Sequence, residues 1–193
     1  MTHFQQSGTK LFQPLASCNQ QLESNFSSRK RKGKVGEDFV DSLLHLLGYR
    51  LVKLTEVPEY QKNGGTRLLI DVSEIPKYQK DNIDRLLVKE DSSEMSLEIK
   101  TDYTALRTAN LFFEIERQGV TSWGMKSKAD YFVFLIPKQE LLFVKPCELR
   151  RLVCQNRTKL QEKTVRETNT VGLPIPIKTV QNIASYRYLL RLE

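Results

Sequence analysis

The stretch 83-IDRLLVKEDSSEMSLEIKTD-102 restricts the fold more than any other part of the chain. Two short apolar runs flank a polar segment, which is the pattern of a β-hairpin turning within Glu90–Glu94. A strand alternates its side chains, so Glu98 and Lys100 share one face while Leu97 and Ile99 share the other. Asp84 opens the preceding strand, and the hairpin brings it across from Glu98 and Lys100, opposite or one diagonal away. Two carboxylates and an amine then converge at a sheet edge. Acid-x-basic triplets are common, and an ordinary solvated strand face is an equally open reading of this segment alone.

A second segment adds weight. In 29-RKRKGKVGEDFVDSLLHLLGYRLV-52, Val35, Phe39, Leu43, Leu46 and Leu47 recur at helical spacing and predict an amphipathic helix near 34–47. Gly48 is its stop, and a strand follows near 49–54. Glu37 falls off the apolar stripe in the first turn, where an acid is favoured by the helix dipole without any further role. Downstream, strands are predicted at 67–72 and at Asn110–Glu116. The run Tyr131–Ile136, stopped by Pro137, reads as a buried strand, with Leu141–Lys145 as a candidate hairpin partner. A helix near 146–155, a polar connection 156–170 and strands near 173–178 and 186–192 complete the chain, with 74–82 read as a loop. This order gives an α/β fold with a central mixed β-sheet flanked by helices.

These segments resemble the PD-(D/E)XK nuclease superfamily, through KGKVGEDFV at 32–40, IDRLLV at 83–88 and LEIKTD at 97–102. The runs TANLFFEIE (108–116) and SKADYFVFLIP (127–137) are similar to phage and bacterial nuclease-like members, so the likeness covers roughly residues 32–137. Ile83 stands where the family has a proline before the aspartate. The resemblance implies a restriction-endonuclease-like core and an endonuclease that hydrolyses DNA. It implies catalytic and metal-holding roles for Asp84, Glu98 and Glu37 around Mg2+ or Mn2+, with Lys100 beside them. Magnesium takes oxygen ligands, commonly one or two carboxylates with substrate phosphate oxygens, and can activate water for attack on phosphorus. An ammonium between two carboxylates favours its charged form, so electrostatic help is the safer role for Lys100. Glu114, taken as lying on a strand beside the E-x-K strand, is an auxiliary candidate toward Lys100 or a second metal. Glu116 reads as a solvated edge residue. The helix usual to the superfamily core is expected to be short, beginning around Lys126.

The chain has 193 residues, 39% hydrophobic and 27% charged, enough for one globular domain with a substantial core. Net charge is +7, unevenly spread. Residues 1–34 carry six basic side chains against one acidic, 35–137 thirteen against seventeen, 138–170 eight against four, and 171–193 three against one. The acidic motif core is thus flanked by basic segments, the layout for holding a cation among phosphates. Arg29, Lys30, Arg31, Lys32 and Lys34 lead into the Glu37 helix and are read as nucleic-acid contacts, although basic runs are often only solvated. Lys128 is a further phosphate candidate, Asp130 a cap or pairing residue, and Trp123 either a base-stacking ring or a loop anchor.

Residues 1–28 are expected to form a mobile polar arm, and 29–193 one nuclease-like domain with a basic C-terminal extension from 138. Cys18, Cys147 and Cys154 give no disulfide framework, and two histidines, with His45 read as structural, argue against zinc. No run reaches the length of a membrane helix and no secretory pattern opens the chain. A cytoplasmic microbial or phage protein acting on DNA is expected, as a possible homodimer because cutting both strands often takes two sites. The alternative is a non-catalytic DNA-binding or assembly protein that keeps the fold.

Overall fold

The structure is a computed structural model describing residues 10–12, 29–62, 67–156 and 160–190. The hairpin forms where the pattern places it. Strands β4 (Arg85–Val88) and β5 (Glu94–Thr101) pair antiparallel with Arg85 opposite Leu97. Asp91 shapes the reversal, its Oδ1 accepting from the Ser93 amide at 2.9 Å and hydroxyl at 2.6 Å, and Ser92 takes a left-handed φ of 61°.

Around it lie β2 (Arg50–Val52) and β3 (Leu68–Asp71) on one side, and β8 (Tyr131–Ile136), β9 (Glu140–Val144) and β12 (Tyr186–Leu190) on the other. These seven strands form a mixed sheet in the order β12-β9-β8-β5-β4-β3-β2, with β1 (Lys10–Phe12) added parallel to β12 at one edge. β5 runs parallel to β8 and β2 parallel to β3; the remaining neighbours within the seven are antiparallel. Strands β4, β8 and β9 are almost wholly buried, which explains their continuous apolar runs.

Helix α1 (Arg29–Leu46) covers one face. Phe39, Val40, Leu43 and Leu44 pack there with Leu69, Leu87, Leu97, Ile99 and Val133, while Leu46 is 47% exposed and outside the stripe. The helix ends at Leu46, and just beyond it the chain turns away at Gly48, whose φ of 90° suits glycine. Its N-terminal half lies close to β5: a Cβ on Gly36 would fall 1.8 Å from Thr101 Oγ1. Two short helices, α2 (Val57–Lys62) and α3 (Pro76–Asp81), accompany the edge formed by β2 and β3. Val57 and Tyr78 of these helices join a cluster with Ile70, Ile83, Leu86 and Val88.

The opposite face is covered differently from expectation. A second, four-stranded antiparallel sheet, β10-β11-β6-β7, contains β6 (Asn110–Arg117), β7 (Val120–Thr121), β10 (Lys163–Val165) and β11 (Thr170–Pro176). Leu111, Phe113, Leu173 and Ile175 point from it into a core shared with Phe132, Phe134 and Val144 of the main sheet. Helices α6 (Pro146–Asn156) and α7 (Ile177–Ile183) join this layer, and one-turn helices α4 (Ala105–Thr108) and α5 (Trp123–Lys126) flank β6 and β7. The alternation in β6 is that of a sheet with one face covered.

Several expectations are corrected. The helix begins at Arg29 rather than near 34, since Arg and Lys are good helix formers. Glu37 is therefore in its third turn, beyond the reach of the dipole argument. The loop 74–82 contains α3, started by Pro76 at the favoured first position. The short helix expected to begin near Lys126 instead ends there. The connection 156–170 contains β10, and the segment after Pro176 turns into α7. Lys10–Phe12, within the expected arm, forms β1; the rest of residues 1–28 lies outside the described residues. Among the described residues no helix is long and apolar enough to cross a membrane.

Candidate active site

The pleat of β5 sends Leu97 and Ile99 into the α1 core and Glu98 and Lys100 to the other face. Continuing the β4–β5 register by one position sets Asp84 opposite Glu98. The Asp84 amide donates to Leu97 O at 2.8 Å, and its Oδ2 accepts from the Ile99 amide at 2.7 Å, so this carboxylate continues the ladder where β4 has not yet begun. The Asp84 carbonyl accepts from Val72 N at 3.0 Å and Arg85 Nη1 at 2.9 Å. Asp84 is thus pinned on both its backbone and its side chain.

Glu98 is 3% exposed. Its Oε1 lies 2.5 Å from Lys100 Nζ, and its Oε2 is buried with no hydrogen-bond partner. A bare buried carboxylate oxygen is costly and uncommon. Burial pushes Glu98 from 4.5 up to about 7; Lys100 pulls the other way, and the charges of Asp84 and Glu37 add to the rise. For Lys100, burial by itself lowers the value, but Glu98 and Asp84 outweigh it and hold the ammonium above its ordinary range. Lys100 stays cationic. Its Nζ also sits 5.1 Å above the Trp123 ring, which is braced edge-on by Phe113 at 5.6 Å and Phe132 at 5.2 Å. Trp123 is 8% exposed, a core anchor under the lysine rather than a free stacking face.

On the α1 face lies a network that the sequence reading missed. Arg85 is wholly buried. Its Nε reaches Asp41 Oδ1 at 2.9 Å, Nη2 reaches Asp41 Oδ2 at 3.0 Å and Glu37 Oε2 at 3.3 Å, and Nη1 reaches Asp71 Oδ1 at 2.8 Å. Its signals were an arginine inside an apolar strand and acids at positions 37 and 41, one helical turn apart. Burial raises Asp41, the Arg85 guanidinium notwithstanding. Burial acts likewise on Glu37, and the negative charge of Asp84 adds to it. Asp71 ends below its usual range because hydrogen bonds from Ser73 outweigh burial. Glu37 therefore stands between two groups, its carboxylate on Arg85 and its field on Asp84 and Glu98. Among the described residues, no three His, Cys, Asp or Glu side chains gather closely enough to hold a metal ion by themselves.

The remaining candidates scatter. Glu114 is on β6 of the second sheet, not on a neighbour of β5, which pairs with β4 and β8. It accepts from Ser122 Oγ at 2.8 Å, and its charge still acts on Lys100. Glu116, on the same strand, is exposed as expected but is not at a sheet edge, since it pairs with Val171 of β11 and with Thr121 of β7. Lys34 Nζ is among carboxylates, 3.4 Å from Asp38, 3.6 Å from Asp71 and 3.9 Å from Glu37. Lys128, 71% exposed, pairs with Asp81 at 2.8 Å. Arg29, Lys30, Arg31 and Lys32 begin α1, and their side chains lie outside the described residues. Asp130 is a pairing residue, accepting from the Ser96 amide and hydroxyl at 2.7 Å each. His45 Nδ1 is 3.1 Å from Tyr49 O at the end of α1. Cys147 and Cys154 are free thiols; Cys18 lies outside the described residues.

No family model, curated protein or solved structure matches the chain.

Proposed function

We propose that this chain is a Mg2+- or Mn2+-dependent deoxyribonuclease of the PD-(D/E)XK type, built on a restriction-endonuclease-like core. The observation that carries the reading is Glu98: nearly inaccessible, beside Asp84 and Lys100, with one oxygen bare. That donor set fits a hard divalent ion, which needs only one or two protein carboxylates and completes its shell with water and phosphate oxygens. Asp84 and Glu98 would hold it, and Glu37 borders the pair. A bound ion there would lower the pKa of an attacking water and offset charge on the phosphate. Lys100 keeps its proton under the joint field of Glu98 and Asp84, so it acts as a fixed cation toward a phosphate oxygen rather than as the base. Trp123 limits how far that ammonium can swing.

Purified protein incubated with single-stranded, duplex and branched DNA in Mg2+ or Mn2+ tests this. Cutting that needs metal and is lost in Glu98→Ala and Lys100→Ala is the expected result; cutting that survives either change sinks the assignment.

A second reading draws on Glu37, which turns to Arg85, and on the missing three-ligand cluster among the described residues. It makes the chain a non-catalytic DNA-binding or assembly protein. It expects salt-sensitive DNA binding that is indifferent to metal and to Glu98→Ala, with no cutting of any substrate.

A further inference from the structure

The ends of β4 and β9 and the starts of β5, β8 and β12 meet at one end of the main sheet. Two adjoining cavities open there, of about 700 Å³ and 110 Å³, sharing Lys89, Met95 and Tyr186. Tyr49, Tyr186 and Tyr188 line the smaller, and Tyr131 and Tyr186 the larger. All four tyrosines are only partly buried. Tyr131 and Tyr186 rings lie 6.0 Å apart, and Phe143 braces Tyr186 at 6.1 Å and Tyr188 at 5.8 Å from behind. The combined groove is a row of rings held by the core.

Its charge is biased. Lining cations outnumber lining anions, which are Glu94 and Asp130 alone. Some of this charge is already engaged: Arg67 pairs with Glu90 at 3.0 Å, Lys128 with Asp81, and Arg150 donates to the Gly124 and Ser127 carbonyls. The Asp130 carboxylate, in turn, is taken by Ser96. Lys126 and Lys145 are exposed and have no carboxylate partner among the described residues.

Rings interleaved with lysines in one groove suit a ligand that offers flat faces and regular negative charge together. Unpaired bases on a phosphate backbone offer both at every residue, whereas a duplex hides its base faces and a polyglutamate chain carries charge without rings. We propose that this groove binds single-stranded nucleic acid, with bases against the tyrosines and phosphates against Lys126 and Lys145. Glu94 at the rim is four residues from Glu98 along β5, about 13 Å at roughly 3.3 Å per residue. Binding here needs no cutting; only its use in capturing substrate rests on the nuclease reading.

Fluorescence anisotropy of a labelled oligothymidine in EDTA tests the groove without any metal-dependent step. Binding should weaken with salt, and the double variant Lys126→Gln, Lys145→Gln should bind more weakly and lose about 1.4 from the log–log salt slope, at about 0.7 per lost phosphate contact. Tyr131→Leu and Tyr186→Leu should each weaken binding about tenfold and leave that slope unchanged. Lys178→Gln, on exposed α7 surface outside the groove, should bind as the parent does. The lysine changes are at exposed positions, so their effect is readable even if a tyrosine variant folds poorly. Equal binding of oligouridine supports the groove and extends its ligand to RNA. Binding untouched by either set of changes overturns it, and so does equally tight binding of a duplex or of polyglutamate. Oligothymidine binding without cutting of any DNA removes the nuclease reading and leaves the groove standing; metal-dependent cutting without groove binding does the reverse.

Discussion

Replacing Glu98 by glutamine should make the metal-free protein more stable above neutral pH while destroying its capacity to hold a cation. The magnitude follows from burial. Glu98 rises from 4.5 to about 7 in the folded state, and a tenfold weakening of an acid corresponds to about 1.36 kcal/mol. Ionising this side chain in the folded protein therefore costs about 3 kcal/mol relative to the unfolded chain. The folded-state value is the raised one, so the stability linked to the protonated form is complete below about 4.5 and is lost as pH rises through about 7. Glutamine keeps the shape and the neutral form at every pH. In EDTA at pH 8.5, Glu98→Gln should gain up to about 3 kcal/mol in urea unfolding, or about 6–12 °C in Tm for a chain of this size. At pH 5 it should differ little from the parent. Adding Mg2+ at pH 8.5 should stabilise the parent and not the variant, since only a ligand of the folded state shifts the equilibrium. A variant less stable than the parent at pH 8.5, or equally stabilised at both pH values, refutes the burial reasoning.

Three further outcomes follow from the same geometry. Metal-dependent cutting should increase as pH rises through about 7, because Glu98 must shed its proton to bind the ion, and more Mg2+ should move the midpoint down in a pH–rate profile. Arg85→Met strips the counter-ion from Glu37, Asp41 and Asp71 and should cost about 3–5 kcal/mol near pH 8 by urea unfolding, less at pH 4 where carboxylates can protonate. Gly36→Ala drives a methyl onto Thr101 and should cost about 1–3 kcal/mol by the same measurement, part of it recovered by Thr101→Ala.

What could be read from the chain divides along a physical line. The hairpin, its turn and the convergence of Asp84 with Glu98 and Lys100 follow from local alternation and one tight reversal, and both are written in residues 83–102. The strands Tyr131–Ile136 and Glu140–Val144 were legible because a wholly buried strand is continuously apolar. Sheet membership was not. β6 alternates just as a strand of the main sheet would, and only the long-range pairing of Leu173 with Phe113 assigns it to a second layer. Glu37 was placed by helix position, but the helix start is a weak local signal, and the role of its carboxylate depends on Arg85, 48 residues away. Arg85 itself was hidden inside the motif IDRLLV, where an apolar strand masked a charged residue whose partners lie on α1 and β3.

The two buried charges of the hairpin are treated in opposite ways, and the difference argues for chemistry at Glu98. Arg85, with no exposure, is met by three carboxylates and the Asp84 carbonyl. It ties α1, β3 and β4 together and fixes the backbone of Asp84 in doing so. Glu98, almost as buried, receives one ammonium and keeps one oxygen bare on a strand whose register partner at that position is Phe132. The Lys100 side chain is 31% exposed, so the pair is only half buried, and an ion pair so placed adds little to stability. Folding alone therefore gives no reason to keep Glu98 and Lys100 there. A rigid frame around Asp84 with an unsatisfied acid facing it is the pattern expected where stability has been given up to bind something positively charged.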